Sequence, residues 1–112
     1  MVSGILERLK RKEVKFADVI GLIDAHYTHV PTAFENGAQK NGSTENQGSA
    51  KVFAFAQLNR LDKEQTLLLF AEHYEAVLAA PESSDHQNIR QFMLHGWEGI
   101  TFQGTALTAK QA

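Results

Sequence analysis

The sequence of 112 residues predicts a single α+β domain that is mainly helical, with four to five helices and a short two-stranded β ribbon. Three observations support this fold class. Apolar residues recur at the spacing of a helix face along several segments. Two helix starts carry a capping pattern, and two short extended segments interrupt the helices. Apolar residues make up 43% of the chain, which is enough for one hydrophobic core.

Two helices are predicted in the first quarter of the chain. Ile5, Leu6 and Leu9 form the apolar side of a short amphipathic helix whose other residues are mostly charged. The second helix is expected to end at residues 28–31, because proline disfavours the helical conformation of the residue before it. Its apolar stripe consists of Phe16, Val19, Ile20, Ile23 and Tyr27.

The segment after the second helix is predicted to be extended and then irregular. Residues 32–35 have an extended pattern that Asn36-Gly37 would end. Gly42 and Gly48 mark a polar stretch, so residues 36–49 are expected to form a flexible loop. Loops of this length inside a compact domain are often functional or mobile, and both interpretations stay open.

A third and a fourth helix are predicted in the middle of the chain. Residues 50–60 favour a helix capped by Ser49, although the apolar run within them could also be a buried strand. Asp62 and Gln65 form a capping-box pattern at the start of a long helix that Pro81 closes. This helix carries the clearest apolar stripe of the chain, made of Leu67, Phe70, Ala71, Tyr74, Val77 and Leu78.

A last helix and a second extended segment complete the predicted fold. Ser84 and Gln87 indicate a capping box before a helix over residues 85–95, and Gly96 suits the positive φ angle at its end. Residues 100–103 are expected to pair with the earlier extended segment into the two-stranded ribbon, packed against the helices. The inward face of the helix is expected to consist of Ile89, Phe92 and Met93.

Composition and charge exclude several classes of function. The net charge of −2 argues against a nucleic-acid partner, because neutralisation of phosphates by basic side chains supplies most of that affinity. The lack of cysteine excludes disulfides, thiolate metal sites and a cysteine nucleophile. Since no apolar run is long enough, neither a membrane span nor a cleaved signal peptide is expected. One basic cluster is interpreted as a solvated helix end: Arg8, Lys10, Arg11, Lys12 and Lys15.

Two patterns resemble metal or phosphate sites but are incomplete. His26 and His29 could supply two metal ligands, whereas a zinc site needs three or four, and favourable charge at a helix C-terminus accounts for the pair. Gly42, Gly48 and Lys51 lie near a helix start, but their spacing does not match a P-loop. The sequence therefore predicts neither a metal nor a cofactor.

The most concentrated set of polar and aromatic residues begins at position 85. On a helix that starts there, His86 and Arg90 share a face and could meet an anionic group together with the free amides of the helix start. Asp85 or Glu98 could orient His86 as a general base. The structural alternative is that these residues cap the helix, form a salt bridge and fill the core. The candidates are His86, Asp85 and Glu98 for catalysis, and Arg90, Asn88, Trp97 and Asn36 for ligand binding.

Blocks of sequence distributed along the chain resemble the HopJ family, over about residues 16–107. These blocks are Pro31-Thr32-Ala33-Phe34 with Asn36-Gly37, Gly48-Ser49 before Val52-Phe53-Ala54-Phe55-Ala56, Asp85-His86-Gln87-Asn88-Ile89-Arg90, Phe92-Met93, and Gly96-Trp97-Glu98-Gly99-Ile100 with Phe102. The resemblance implies a type III effector, which would reside in the bacterial cytoplasm until a needle apparatus delivers it into host cells. It implies no particular biochemical activity.

Three hypotheses about function stay open at this point. The first is a HopJ-type effector of undefined activity, whose partner would be a host protein. The second is a resident cytosolic protein, either an enzyme or a binding protein for a small anionic ligand, that uses His86 and Arg90. The third is a module that binds a partner without catalysis.

Overall fold

The computed structural model describes residues 2–110 and confirms a mainly helical α+β fold. A short 3-10 helix (Gly96–Gly99) follows the last α-helix. The helices are α1 (Val2–Lys10), α2 (Phe16–His26), α3 (Gln47–Leu58), α4 (Lys63–Leu68), α5 (Glu72–Ala79) and α6 (Gln87–His95). The strands are β1 (Tyr27–His29), β2 (Phe34–Asn36), β3 (Gln39–Asn41), β4 (Ile100–Phe102) and β5 (Leu107–Ala109).

The core is organised around α3, which is apolar on nearly all sides. Every residue from Val52 to Ala56 is buried, so the choice of a helix over a buried strand for this segment is confirmed. Phe53 is the centre of an aromatic cluster, with ring centroids between 5.0 and 6.3 Å from those of its neighbours. Among residues 2–110, no helix is both long and apolar enough to cross a bilayer.

The second helix ends earlier than its apolar stripe predicts. The inclusion of Tyr27 in α2 is wrong, because residues Tyr27–His29 form β1, which pairs antiparallel with β5. Tertiary contacts favour the strand: the Tyr27 ring packs edge-on against Phe55 with centroids 5.6 Å apart, and its hydroxyl accepts a hydrogen bond from Asn59. The strand pair β1–β5 was not predicted.

The segment 36–49 contains more secondary structure than the predicted loop. Gly37 and Ala38 form the turn between β2 and β3, and β4 pairs with the other side of β2. The predicted pairing of the two extended segments is therefore confirmed, but the ribbon is a three-stranded sheet. Helix α3 begins at Gln47, and its N-cap is Asn46 rather than the predicted Ser49. Gly37 has a φ of +58° at the first position of this two-residue turn, where hairpins often require glycine.

The long helix predicted before Pro81 is two helices. The capping box of Asp62 and Gln65 forms as expected, with the Gln65 amide donating to Asp62 Oδ1 over 2.8 Å. The helix then breaks at Ala71, whose φ is +52°. The break allows Leu69 and Phe70 to be buried together with Leu67, which one helix face cannot achieve.

Helix α6 begins two residues later than predicted. Its N-cap is His86 in the left-handed conformation, and the capping box of Ser84 and Gln87 does not form. Instead, the Gln87 side-chain amide donates to the backbone carbonyl of Ser84 over 2.7 Å. The predicted inward position of Ile89 and Phe92 on α6 is confirmed, because both side chains are buried.

Candidate functional site

A cavity of about 410 Å³ lies where the starts of α3, α5 and α6 meet. The side chains of Phe16 and Phe70 form one wall, and their rings are stacked with centroids 5.9 Å apart. The remaining wall is polar. We call this cavity the His73–His86 pocket, and its polar lining includes Asn46, Ser49, His73, His86, Gln87 and Asn88.

Two imidazole rings face each other at the pocket. The ring centroids of His73 and His86 are 5.1 Å apart, and the Phe16 ring meets His73 edge-on at 4.9 Å. His86 is exposed and His73 is half-buried. Neither imidazole makes a hydrogen bond to any other group within residues 2–110, so both rings keep their donors and acceptors for a ligand.

Residues from two helix starts line the same pocket, and their backbone amides are free. The amides of Gly48 and Ser49 in α3, and of Gln87 and Asn88 in α6, have no acceptor within residues 2–110. The first amides of a helix have no partner inside that helix, and they give its N-terminus a partial positive charge. These two helix starts therefore attract negative charge into the pocket.

The backbone is strained at the residues that precede the three helices around the pocket. Asn46, Ala71 and His86 have positive φ angles although they are not glycine. The other two such residues, Lys12 and Arg60, follow the C-terminal ends of α1 and α3, where a left-handed residue is common. Strained non-glycine residues persist only where the surrounding structure holds them, and they cluster at functional sites.

A buried cluster of asparagine side chains fixes the geometry below the pocket. The Asn88 side chain exchanges hydrogen bonds with Asn41, at 3.0 and 3.2 Å, and accepts one from Asn36 at 3.1 Å. Asn46 donates to Asn41 over 2.7 Å. The cluster thereby joins β2 and β3 to the N-cap of α3 and to the first turn of α6. Among residues 2–110, Asn36 Oδ1 is the one buried side-chain polar atom that lacks a hydrogen bond.

Glu72, the first residue of α5, directly precedes His73 in the sequence. Burial would raise its pKa, but hydrogen bonds from the backbone amides of Phe16 and Glu72 itself, with the charges of His73 and Lys15, lower the pKa below its usual value. The Phe16 amide donates to Glu72 Oε1 over 2.7 Å. Glu72 therefore joins the start of α2 to the start of α5 as a charged group.

The structure separates Arg90 from the pocket that His86 lines. The Arg90 guanidinium donates to the backbone carbonyls of Ala80, Pro81 and Asp85, and to the Asp85 carboxylate over 2.7 Å. The side chain is only 12% exposed. Arg90 thus ties the chain between α5 and α6 to the first turn of α6, as the structural alternative expects.

The remaining predicted residues are distributed over different parts of the fold. Asn88 lines the pocket, whereas Asn36 belongs to the buried cluster below it. Trp97 packs against Phe53 and Phe92, and its indole N–H donates to the Leu61 carbonyl over 3.0 Å. Glu98 is exposed in the 3-10 helix and does not line the pocket.

Sequence reasoning missed His73 and the aromatic wall of the pocket. His73 reaches the pocket because the chain breaks at Ala71 and starts a new helix, and the uninterrupted apolar stripe of this region gives no signal of that break. Phe16 packs against the core, as its place in the stripe of α2 predicts, but it is half-buried and also borders the pocket. In residues 2–110, no group of three or more histidine, aspartate or glutamate side chains is arranged to bind a metal.

Comparison with known proteins gives a family and a structural relative. The model of a family described as "HopJ type III effector protein" matches residues 2–107. A crystal structure described as that of the unknown-function protein VPA0580 is similar, with a TM-score of 0.89 and 47% sequence identity, over 98% of this chain and 94% of that chain. No curated protein matches the chain. The family match includes every residue that lines the His73–His86 pocket.

Proposed function

The chain belongs to the HopJ family, and from that premise we propose that it binds a small anionic molecule in the His73–His86 pocket. The observation that carries this proposal is the juxtaposition of two imidazoles, 5.1 Å apart, with the free amides of two helix starts. All of these groups can donate hydrogen bonds to an anion. The function supported best is therefore ligand binding.

The shape of the pocket supports a ligand that combines an anionic group with an apolar part. Its volume of about 410 Å³ falls within the range of small-molecule sites. Phe16 and Phe70 offer a flat apolar wall beside the polar helix starts. A phosphate or carboxylate would lie at the helix starts, and the apolar part of the ligand would lie against the aromatic rings.

Binding is a better interpretation than the catalytic alternative based on His86. The carboxylate of Asp85, which could have oriented His86 as a general base, accepts a hydrogen bond from Arg90. Glu98, the other candidate for that role, does not line the pocket. The group that accompanies His86 is a second imidazole, which favours attraction of an anion over removal of a proton.

An NMR titration with inorganic phosphate tests the proposal. We expect amide shifts concentrated at Gly48, Ser49, Gln87 and Asn88 of the ¹⁵N-labelled full chain, because their N–H groups would donate to the anion. Replacement of either imidazole should weaken binding about tenfold, as expected for the loss of one hydrogen bond to a charged ligand. Larger phosphate and carboxylate metabolites would then be ranked by the same shifts.

The matched control for this titration is His26→Ala, since His26 is an exposed histidine outside the pocket. His86→Ala and His73→Ala should weaken binding, whereas His26→Ala should leave the affinity within about twofold. Shifts scattered over the surface, or an equal loss in the His26 variant, would contradict a specific site. Chloride at the same ionic strength should not reproduce the shifts.

A second candidate function is delivery into host cells, which is favoured by the description of the matching family as type III effectors. The protein would then reside in the bacterial cytoplasm before delivery, and a host protein would be its partner. A reporter enzyme fused to about the first twenty residues should reach host cells from a strain with an active needle apparatus. Delivery would be contradicted if the reporter signal in host cells were the same with a strain whose needle apparatus is inactive. It would also be contradicted if neither strain gave a signal.

A further inference from the structure

We propose that an apolar groove between α1 and α5 docks an acidic amphipathic helix of a partner protein. This groove has a volume of about 480 Å³, and we call it the α1–α5 groove. It shares no lining residue with the His73–His86 pocket, so the proposal is independent of the proposed function. Its lining is mainly apolar and includes Leu9, Leu68, Tyr74 and Leu78, with Lys10 and Lys12 among its charged residues.

Leu78 makes this surface unusual for a soluble domain. Leu78 is 54% exposed, although its helix, α5, packs on the core through the neighbouring Val77. Leu78 also borders a second depression, which is lined by Met93 and Leu94 of α6, and Leu94 is 72% exposed. An apolar strip therefore extends across α5 in both directions from Leu78, and contiguous exposed apolar surface is typical of protein interaction sites.

The charge of the chain is unevenly distributed, and the positive part lies at the groove. Residues 7–15 contain five basic and two acidic side chains, whereas the rest of the sequence contains six basic and eleven acidic ones. Two of the five basic residues, Lys10 and Lys12, line the groove itself. A partner that fits an apolar floor beside a positive rim carries apolar residues on one face and carboxylates next to them.

The two lysines at the rim can release their present carboxylate partners and pair with carboxylates of a docked helix. Lys10 pairs with Glu7 at 3.6 Å and Lys12 pairs with Glu75 at 3.0 Å, and all four side chains are roughly half or more exposed. Exposed ion pairs of this kind contribute little to stability, so carboxylates of a docked helix can replace them. The other three cations of the cluster form no ion pair within residues 2–110: Arg8, Arg11 and Lys15.

A helix fits this surface better than a lipid bilayer does. The apolar face of α1 next to the basic residues is buried in the core through Ile5, Leu6 and Leu9, so α1 cannot insert that face into a membrane while the domain is folded. The groove is concave, and its apolar residues are supplied by α1, α4 and α5. Side chains at positions i, i+3 or i+4, and i+7 of a partner helix fill such grooves.

The test uses a designed peptide of about 18 residues with leucine on one helical face and glutamate on the others. Fluorescence anisotropy with the full chain should show binding of this peptide. A peptide with lysine in place of glutamate should bind at least about tenfold more weakly. Leu78→Asp and Lys10→Glu should each weaken binding of the acidic peptide about tenfold, and an increase of ionic strength should weaken binding to the parent protein.

Matched controls separate docking from general effects of charge and folding. Leu58 is 55% exposed and lies outside the groove, so Leu58→Asp is the matched control for Leu78→Asp. Lys40 also lies outside the groove, and Lys40→Glu is the matched control for Lys10→Glu. Both controls should leave the affinity within about twofold. The proposal is overturned if the acidic and basic peptides bind equally, if the acidic peptide does not bind, or if a control weakens binding as much as its counterpart. Binding to anionic lipid vesicles but not to the acidic peptide would overturn it as well.

Discussion

Two polar regions lie next to each other at the start of α6, and they differ in whether their polar atoms already have partners. Arg90 and Asp85 bond to each other and to nearby carbonyls, and the Arg90 side chain is almost buried. His86, directly after Asp85, and His73 across from it make no hydrogen bond within residues 2–110. Polar residues that are adjacent in sequence can therefore have opposite roles, and the unpaired ones are free to bind a ligand.

The left-handed backbone at His86 separates the two regions. With φ at +52°, the chain turns at this residue, so that Asp85 stays with Arg90 while His86 borders the pocket. On the continuous helix that the sequence predicts, His86 and Arg90 would have shared a face. The following predictions test the contrast between paired and unpaired polar groups, beginning with the largest expected effect.

Asn88→Ala should cause the largest loss of stability, because Asn88 is a paired group at the floor of the pocket. The substitution removes three hydrogen bonds to Asn36 and Asn41, both of which are buried. We expect the free energy of unfolding to fall by about 2–3 kcal/mol, measured by urea denaturation. Gln57→Ala, which removes an exposed amide from α3, is the control and should change stability by less than about 0.5 kcal/mol.

Arg90→Ala should destabilise the protein without affecting the pocket. The variant loses the hydrogen bonds from Arg90 to three backbone carbonyls, and we expect unfolding to become easier by about 1–2 kcal/mol. Phosphate affinity should stay within about twofold of the parent value. A large loss of phosphate affinity in a folded variant would break the contrast, because it would make Arg90 part of the ligand site. Arg8→Ala, on the exposed side of α1, serves as the control.

The sequence predicted the parts of the fold that depend on local signals. The stripe of α1, the capping box at Asp62 and the positive φ at Gly96 are all found, because each depends on a few adjacent residues. Strand β1 and the break at Ala71 depend on distant packing, which a local pattern does not contain. His86 was identified from its polar surroundings, but its partner His73 lies on a helix that exists separately only because of that break.

Glycine and alanine at position 86 should separate backbone strain from the chemistry of the imidazole. Both variants lose the ring and should bind phosphate about tenfold more weakly than the parent protein. His86→Gly relieves the left-handed strain, so it should be more stable than His86→Ala by about 1 kcal/mol. Arg60 has nearly the same φ, at +55°, outside the pocket, and the same pair of substitutions there should give a similar difference. No difference at position 86 would show that His86 is not held in the left-handed conformation in solution.

The smallest expected effect concerns the charge of Asp85 in the paired region. The hydrogen bond from Arg90, assisted by Ser83 and by the charges of His86 and Arg90, lowers the Asp85 pKa below its ordinary value of 3.8 despite some desolvation. A carboxyl whose pKa is lower in the folded state stabilises the fold above the unfolded-state pKa, and this contribution is lost as the pH falls through the folded-state pKa.

Asp85→Asn should therefore lower stability slightly at pH 7, and the difference from the parent protein should shrink as the pH falls below the ordinary value of 3.8. The effect should be small because the Asp85 side chain is exposed and solvent screens its charge. Urea denaturation between about pH 7 and pH 3 measures it, with Glu82→Gln in the same exposed segment as the control. If the stability difference between Asp85→Asn and the parent protein does not change with pH, Arg90 stabilises the segment between α5 and α6 through the backbone carbonyls alone.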